Sequence, residues 1–372
     1  MTRARVHVPS GTPRPEELVE VTLHDVRIGS SDIALPGVHV ADTGPERLFT
    51  SDDLRFDPRD GGGPFCPPEQ RLEARAFGVV NVGFHLRRGL VRIAALLGRG
   101  LPPLAVRIGV HDPRAPRWGG GHYRLPALTY TSMPEAAPPA ATGEIHLGRG
   151  GRFVLVDGRP YFNAPAHNAA IVYHELGHHL TRHTADFRIN VDRPAGAQAN
   201  RKIALDEGTS DYVAGMLLET ADIFGWHRHH EPATSLRRRR LDGPWTMAAY
   251  GGARSDDPHS DGTIWASALW ASRVEVQREG VAAEEFDRLV LRALVRIGRS
   301  GGDLPRRDEL ERRRQFGHAL QALLDEDRSA GGHVGAVVER VFAGRGIVTG
   351  YDNDELRERW RARLPLAAGC GR

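Results

Sequence analysis

Two histidines four residues apart, with a glutamate directly after the first, stand out in the stretch IVYHELGHHL, residues 171–180. On a helix, which turns about 100° per residue, His178 lies about 40° round from His174 and Glu175 about 100° round, so the three side chains share one quadrant. Zinc takes imidazole nitrogens at about 2.0–2.1 Å, and imidazoles on adjacent turns meet that requirement without distortion. Glu175 would then stand beside a zinc-bound water and accept its proton. The stretch predicts a zinc site with its own catalytic base.

A third ligand for such a site is found in ALDEGTSDYVAGMLLET, residues 204–220, which reads as a second helix. Glu207 completes a His₂Glu set and leaves a fourth position for water, the arrangement of a catalytic zinc. Asp211, one turn later, is predicted to accept the second ring N–H of a ligating histidine, in the first place His174. The alternative is that both acids only favour the dipole of the helix in its first turn.

The motif helix needs a start, and the residues before it supply candidates. Asn163 is a suitable N-cap, and Pro165 falls in the first turn, where its missing N–H costs little. The sequence therefore predicts a helix over about 165–184.

The basic run Arg237–Arg240 is interpreted as a solvated loop rather than a polyanion site.

The HExxH motif followed by a helix carrying ExxxD resembles the gluzincin zinc metallopeptidases of the thermolysin and fungalysin type, and DEGTSDY is closest to the fungalysin-like version. A third block, HSDGTIWASALW at 259–270, resembles the family's segment of His, Gly and apolar-Trp-Ala. Weaker similarity at RAFGVVNVGFHLRRGL and VERVFAGRGI extends the resemblance over about residues 70–346.

The resemblance implies an α+β, thermolysin-like fold, with a β-rich N-terminal lobe, a mainly helical C-terminal lobe and the zinc cleft between them. It also implies a zinc-dependent endopeptidase that hydrolyses peptide bonds with a glutamate-activated water. His259 would stabilise the oxyanion of the tetrahedral intermediate; otherwise it is an ordinary loop histidine. The chain departs from the family at Gly119–Gly121, which stand where the edge-strand Asn-Ala substrate clamp is expected, with His122 and Tyr123 as possible substitutes. No calcium site is expected.

Hydrophobic patterning predicts mainly strands in the first half of the chain and mainly helices in the second half. Alternating apolar residues in 17–40 and the segments LAVRIGVH, ALTYTS, GEIHLG and RFVLVDG predict strands, and 69–97 has helical spacing interrupted by Gly78 and Gly83. Helices are predicted around 165–184, 198–220, 262–279, 283–299, 305–325, 331–343 and 352–362. The resulting division is a β-rich lead-in over 1–65, a β-rich lobe over 66–163 and a helical lobe carrying the zinc ligands over 164–372.

Composition narrows the class of partner. A net charge of +3 over 372 residues gives no reason to expect nucleic acid, and the expected partner is a protein or peptide substrate. The two cysteines, Cys66 and Cys370, have no CxxC spacing, so zinc would need nitrogen and oxygen ligands. No membrane span or signal peptide is recognised, so the chain as written reads as cytoplasmic while its compartment stays open.

Two other functions compete with the endopeptidase. A gluzincin aminopeptidase would share the zinc site, but the Gly-x-Met-Glu-Asn run that holds a substrate amine is missing. A non-catalytic zinc-binding interaction module would bind a partner through residues 1–65. Glu175 argues against that module, because a purely structural site has no need of a base that activates water.

Overall fold

The computed structural model describes residues 1–8, 17–58, 72–112, 118–124, 143–156, 159–187, 203–225, 227–228, 231–252, 257–299 and 312–363. In the strands over 152–163 only the backbone is described. Cys66, Cys370 and the strand predicted at ALTYTS lie outside these residues. The described chain is a mixed α+β protein, as the sequence predicts.

The strands are short and lie in the first half of the chain. They are β1 (Thr2–Val8), β2 (Glu17–Leu23), β3 (Arg27–Ile28), β4 (Asp32–Leu35), β5 (Val38–Asp42), β6 (Leu104–Ile108), β7 (Gly121–Arg124), β8 (Glu144–Leu147), β9 (Arg152–Val156) and β10 (Arg159–Asn163). Branched apolar residues recur at every second position in β4 to β6, and these branched residues are buried.

Six of the strands form one sheet in the order β3-β4-β5-β6-β8-β7. The pairs β5/β6 and β6/β8 are parallel, whereas β7 pairs antiparallel with β8 and lies at an edge of the described sheet. The strands β1/β2 and β9/β10 form two separate antiparallel pairs. Strands β3–β5, which lie within the predicted lead-in over 1–65, therefore share a sheet with strands from residues beyond 66.

The helix α1 (Leu72–Leu97) is continuous through Gly78 and Gly83. Most of its length is buried, so packing outweighs the roughly 1 kcal/mol that each internal glycine costs a helix. The other helices are α2 (Ala169–Arg182), α3 (Ala204–Leu218), α4 (Pro258–Arg278), α5 (Ala283–Arg299), α6 (Phe316–Ser329), α7 (Gly335–Ala343) and α8 (Asn353–Arg363). Each corresponds to a helix predicted from the sequence.

The chain divides into two compact units whose boundaries fall inside α2 and α3. The first comprises Met1–Leu180, Asn190–Ala199 and Val213–His230, and contains the strands and α1. The second comprises Thr181–Ile189, Asn200–Tyr212 and Glu231–Arg372, and is helical where described. Its core includes Trp265, whose ring stacks on Phe316 at a centroid distance of 5.7 Å.

Candidate metal centre

The helix that carries HELGH begins later than the sequence predicts. Asn163 ends β10, and Pro165–His167 form a 3₁₀ turn rather than the first turn of the helix. Asn168 is the cap of α2, because its Oδ1 accepts hydrogen bonds from the backbone N–H groups of Ala170 at 3.0 Å and Ile171 at 3.3 Å. The expected Asn163 cap is therefore wrong, whereas the helical placement of the motif is confirmed.

The two motif histidines meet on α2 as their spacing requires. The Nε2 atoms of His174 and His178 are 3.2 Å apart, and each residue is 5% exposed. Two nitrogens bound to one tetrahedral zinc at about 2.0–2.1 Å would lie about 3.3 Å apart. The observed pair is thus already close to the separation that a shared metal ion imposes.

Glu207 joins these two histidines. One donor atom from each of His174, His178 and Glu207 lies within 4.8 Å of the other two, and all three residues are buried. The donor set of two imidazoles and one carboxylate is the chemistry of a catalytic zinc site. This His/His/Glu cluster (His174, His178 and Glu207) could hold a metal ion, and its residues fit zinc.

Glu175 stands in this arrangement without a protein partner for one of its oxygens. It is 3% exposed, and its Oε2 atom has no hydrogen bond within the described part of the chain. Burying a carboxylate oxygen without a partner is costly, so native proteins rarely do so without a water, an ion or a function at that point. An oxygen without a partner in the described part of the chain suits a catalytic base, because such a base must accept a proton from a water molecule.

The edge strand β7 approaches Glu175 very closely. A Cβ atom added at Gly121 would lie 2.7 Å from Oε1 of Glu175, so only glycine fits there without displacing the carboxylate. The sequence predicts of Gly119–Gly121 only that they stand where gluzincins have an Asn-Ala clamp. The run of three glycines before a strand was the available signal for a close backbone approach.

The side chains that follow Gly121 are engaged elsewhere. Tyr123 and Nδ1 of His179 are hydrogen-bonded at 3.0 Å, and Nε2 of His122 lies 3.0 Å from Nε2 of His111. His179 also contacts the carbonyl of Pro102 at 3.0 Å.

Asp211 forms a buried ion pair that the sequence did not suggest. Its Oδ2 accepts from Arg239 Nε at 2.8 Å and its Oδ1 from Arg239 Nη2 at 2.5 Å, and both residues are buried. Burial lowers the pKa of Arg239, but its attraction to Asp211 outweighs this and the net pKa is raised. The interpretation of Arg237–Arg240 as a solvated loop is therefore wrong for Arg239. The expected contact from Asp211 to His174 stays a prediction.

His259 lies against the predicted third ligand. Its Nε2 is 3.3 Å from Oε2 of Glu207, and its Nδ1 is 2.8 Å from Oδ1 of Asp257. Asp257 also caps α4 by accepting from the backbone N–H of His259. Because His259 donates to it, the pKa of Asp257 is held well below its usual range. His259 thus belongs to a helix N-terminus and not to a loop, and it touches Glu207.

A buried hydrogen bond joins the two helices that carry the motif residues. Thr181 of α2 donates from Oγ1 to Oδ1 of Asp206 in α3 at 2.6 Å, and each residue is 2% exposed. Asp206 directly precedes Glu207 in the chain, so this bond restrains the backbone from which the carboxylate projects.

A scan against protein-family models and a search of the curated proteins found no match to this chain. Within the described ranges, no helix combines the length and the apolar character needed to cross a membrane.

Proposed function

We propose that this protein is a zinc-dependent endopeptidase of the gluzincin type, with a thermolysin-like catalytic fold. The observation that carries the proposal is the buried His/His/Glu cluster with Glu175 beside it. His174, His178 and Glu207 hold the zinc ion. When bound, zinc acts as a Lewis acid that polarises the scissile carbonyl and lowers the pKa of water.

Glu175 is the general base of the proposed reaction. It sits one residue after His174 on α2 and keeps Oε2 without a partner among the described residues. This oxygen accepts a proton from the attacking water, and the resulting carboxyl group later delivers a proton to the leaving amine. The burial of Glu175 excludes bulk water, so the proton is passed between groups that are already in contact.

His259 is the proposed donor to the oxygen that becomes negative in the transition state. In the proposed reaction Nδ1 of His259 donates to Asp257, and Nε2, which lies 3.3 Å from Oε2 of Glu207, turns toward that oxygen and donates to it. A preorganised donor of this kind is worth about 2.7–4 kcal/mol of transition-state stabilisation. Asp257 orients the ring through its contact with Nδ1.

An extended peptide is the substrate that the edge strand suits. Strand β7 is at the end of the described sheet, and Gly121 brings its backbone against Glu175. A peptide that adds itself to such an edge is held by main-chain hydrogen bonds, which are independent of its sequence. The missing Asn-Ala clamp is then replaced by backbone contacts along β7.

The decisive experiment compares zinc content and peptide cleavage for the wild-type chain and Glu175→Gln. We expect both proteins to retain zinc, and only the wild type to cleave a quenched peptide library, whether the N-termini of the peptides are free or acetylated. Glu339→Gln, a change at an exposed glutamate of α7, is the matched control and should cleave like the wild type.

Each of the other outcomes would indicate a different function for this protein. Cleavage restricted to peptides with a free N-terminus would indicate an aminopeptidase instead. Zinc in both variants with no cleavage in either would indicate a zinc-binding interaction module. Equal cleavage by Glu175→Gln and the wild type would contradict the proposed base.

A further inference from the structure

Three other histidines converge in the sheet, separate in sequence from HELGH. They are His111, which follows β6, His122 in β7 and His146 in β8. Nε2 of His111 lies 3.0 Å from Nε2 of His122 and 3.0 Å from Nδ1 of His146. One ligand atom from each of the three lies within 4.8 Å of the other two. We call these residues the three-histidine cluster.

The sheet itself brings the three rings together. His122 and His146 are directly paired across the antiparallel β7/β8 ladder, so their side chains project from the same face. Strand β8 also runs parallel to β6, whose chain continues to His111. The cluster therefore depends on strand register, which no local spacing in the sequence reveals.

The short contacts in the cluster are difficult to satisfy with protons alone. A ring nitrogen carries either one proton or one directed lone pair, yet Nε2 of His111 faces two other ring nitrogens at hydrogen-bond distance. A single cation accepts lone pairs from all three nitrogens at once. The observed separations of 3.0 Å approach the roughly 3.3 Å expected between nitrogens on one tetrahedral zinc.

A buried carboxylate sets the tautomer of His146. Nε2 of His146 makes a short hydrogen bond with Oε1 of Glu144, and Arg107 donates from Nε to Oε2 of the same carboxylate at 3.0 Å. Donation of Nε2–H to Glu144 leaves the lone pair of His146 on Nδ1, which points at the cluster. Metal-ligating histidines characteristically have such a carboxylate on their second nitrogen.

The cluster is also shielded from water. His111 is 3% and His146 0% exposed, and the ring of Trp118 packs against His111 and His122 with centroid distances of 5.1 and 5.0 Å. Imidazoles buried beneath an indole ring are suited to a firmly held ion rather than to one in exchange with solvent.

We propose that the three-histidine cluster is a second metal site, which binds a divalent transition-metal ion of the zinc class through Nε2 of His111, Nε2 of His122 and Nδ1 of His146. Three imidazoles suit such ions, whereas calcium and magnesium require oxygen ligands. Because His122 follows Gly121 in β7, the bound ion would hold the backbone of β7 in its position next to Glu175. This inference does not rest on the proposed function.

The test counts zinc by mass spectrometry in the full chain after zinc loading and dialysis. We expect about two ions in the wild type, one in His122→Gln, one in His178→Gln and none in the double variant. His122 is only partly buried, so its replacement is the ligand change best tolerated by the fold. His39→Gln, at an exposed histidine of the same sheet, is the matched control and should retain two.

Circular dichroism and thermal unfolding establish that each variant is folded. A second measurement, chelator competition on the wild type alone, should resolve two classes of zinc and needs no variant. One zinc that is lost in His178→Gln but retained in His122→Gln would overturn the second site. One zinc that is lost in His122→Gln but retained in His178→Gln would support the second site and remove the basis of the proposed peptidase. Two zinc ions retained by the double variant would indicate adventitious binding and also overturn the inference.

Discussion

Gly208 of α3 and Gly262 of α4 lie backbone against backbone. A Cβ atom added at Gly208 would be 2.2 Å from the carbonyl oxygen of Gly262, and one added at Gly262 would be 2.7 Å from the backbone nitrogen of Gly208. Gly208 directly follows Glu207, and Gly262 is one turn after His259. The close crossing of the two helices is what brings Nε2 of His259 to 3.3 Å from Oε2 of Glu207.

Gly208→Ala should separate α3 from α4 and displace Glu207. Overpacking of this kind costs about 1–3 kcal/mol of unfolding free energy, and we expect zinc affinity to fall with it. Urea unfolding and zinc competition with a chelator measure the two effects. Gly100→Ala is the control, because a Cβ there meets nothing within 4 Å and should change neither quantity. A fully stable Gly208→Ala variant with normal zinc affinity would contradict the close crossing.

Arg239→Met should be the most destabilising single change within the basic run Arg237–Arg240. It leaves the carboxylate of Asp211 buried and without its guanidinium, which typically costs about 3–5 kcal/mol. Arg240→Met removes a partly exposed pair with Asp242 and should cost less than about 1 kcal/mol. Equal unfolding free energies for the two variants would show that the Asp211 pair is not buried as described.

Gly121→Ala tests the approach of β7 to Glu175. The added methyl group would push against Oε1, so we expect kcat for peptide cleavage to fall at least about tenfold while bound zinc is unchanged, since misplacing a catalytic group by 1 Å can cost about a hundredfold. Steady-state kinetics together with zinc analysis separates this effect from metal loss. A variant with wild-type kcat would exclude Gly121 as the contact that positions the base.

His259→Ala distinguishes two roles for that histidine. As a donor to the oxyanion it should contribute about a hundredfold to a thousandfold in kcat, with little change in zinc content. If its contact with Glu207 serves only to hold the ligand, zinc affinity should fall instead and cleavage should recover at high zinc. Measuring kcat at saturating zinc decides between these results.

Stability should decline in weak acid because two buried histidines resist protonation. Burial lowers the pKa of His85 and of His167 from 6.5 to about 4. Below pH 6.5 the unfolded chain binds protons that the folded chain does not, so the stabilisation is complete above pH 6.5 and is lost as pH falls toward 4. Between pH 7 and pH 5 each histidine should account for about 2 kcal/mol.

Urea unfolding of the metal-free chain at these two pH values measures the loss. His167→Gln should reduce the pH dependence by about 2 kcal/mol, because it removes one group whose pKa is lowered in the folded chain. His39→Gln should leave the dependence unchanged, since that ring is exposed beside Asp32. An unaltered slope in His167→Gln would show that His167 is not buried in its neutral form.

The sequence by itself determined those parts of the candidate site that depend on local geometry. A spacing of four residues on a helix brings His174 and His178 together whatever surrounds them, and the periodicity of 204–218 fixes Glu207 on a helix of its own. Most predicted helices have boundaries within a few residues of those observed, because apolar periodicity is a local signal, but α6 begins at Phe316 rather than near residue 305. The Asn168 cap was missed because two polar residues near the start, Asn163 and Asn168, compete for that role.

Only the tertiary structure decided the rest. Residues distant in the chain meet through strand register and helix crossing, which depend on packing across the whole core and leave no mark in a short window of sequence. The pairing of Asp211 with Arg239, the approach of Gly121 to Glu175 and the convergence of the three-histidine cluster are all of this kind. The sequence supplied two histidines and a base on one helix, and the fold decided what surrounds them.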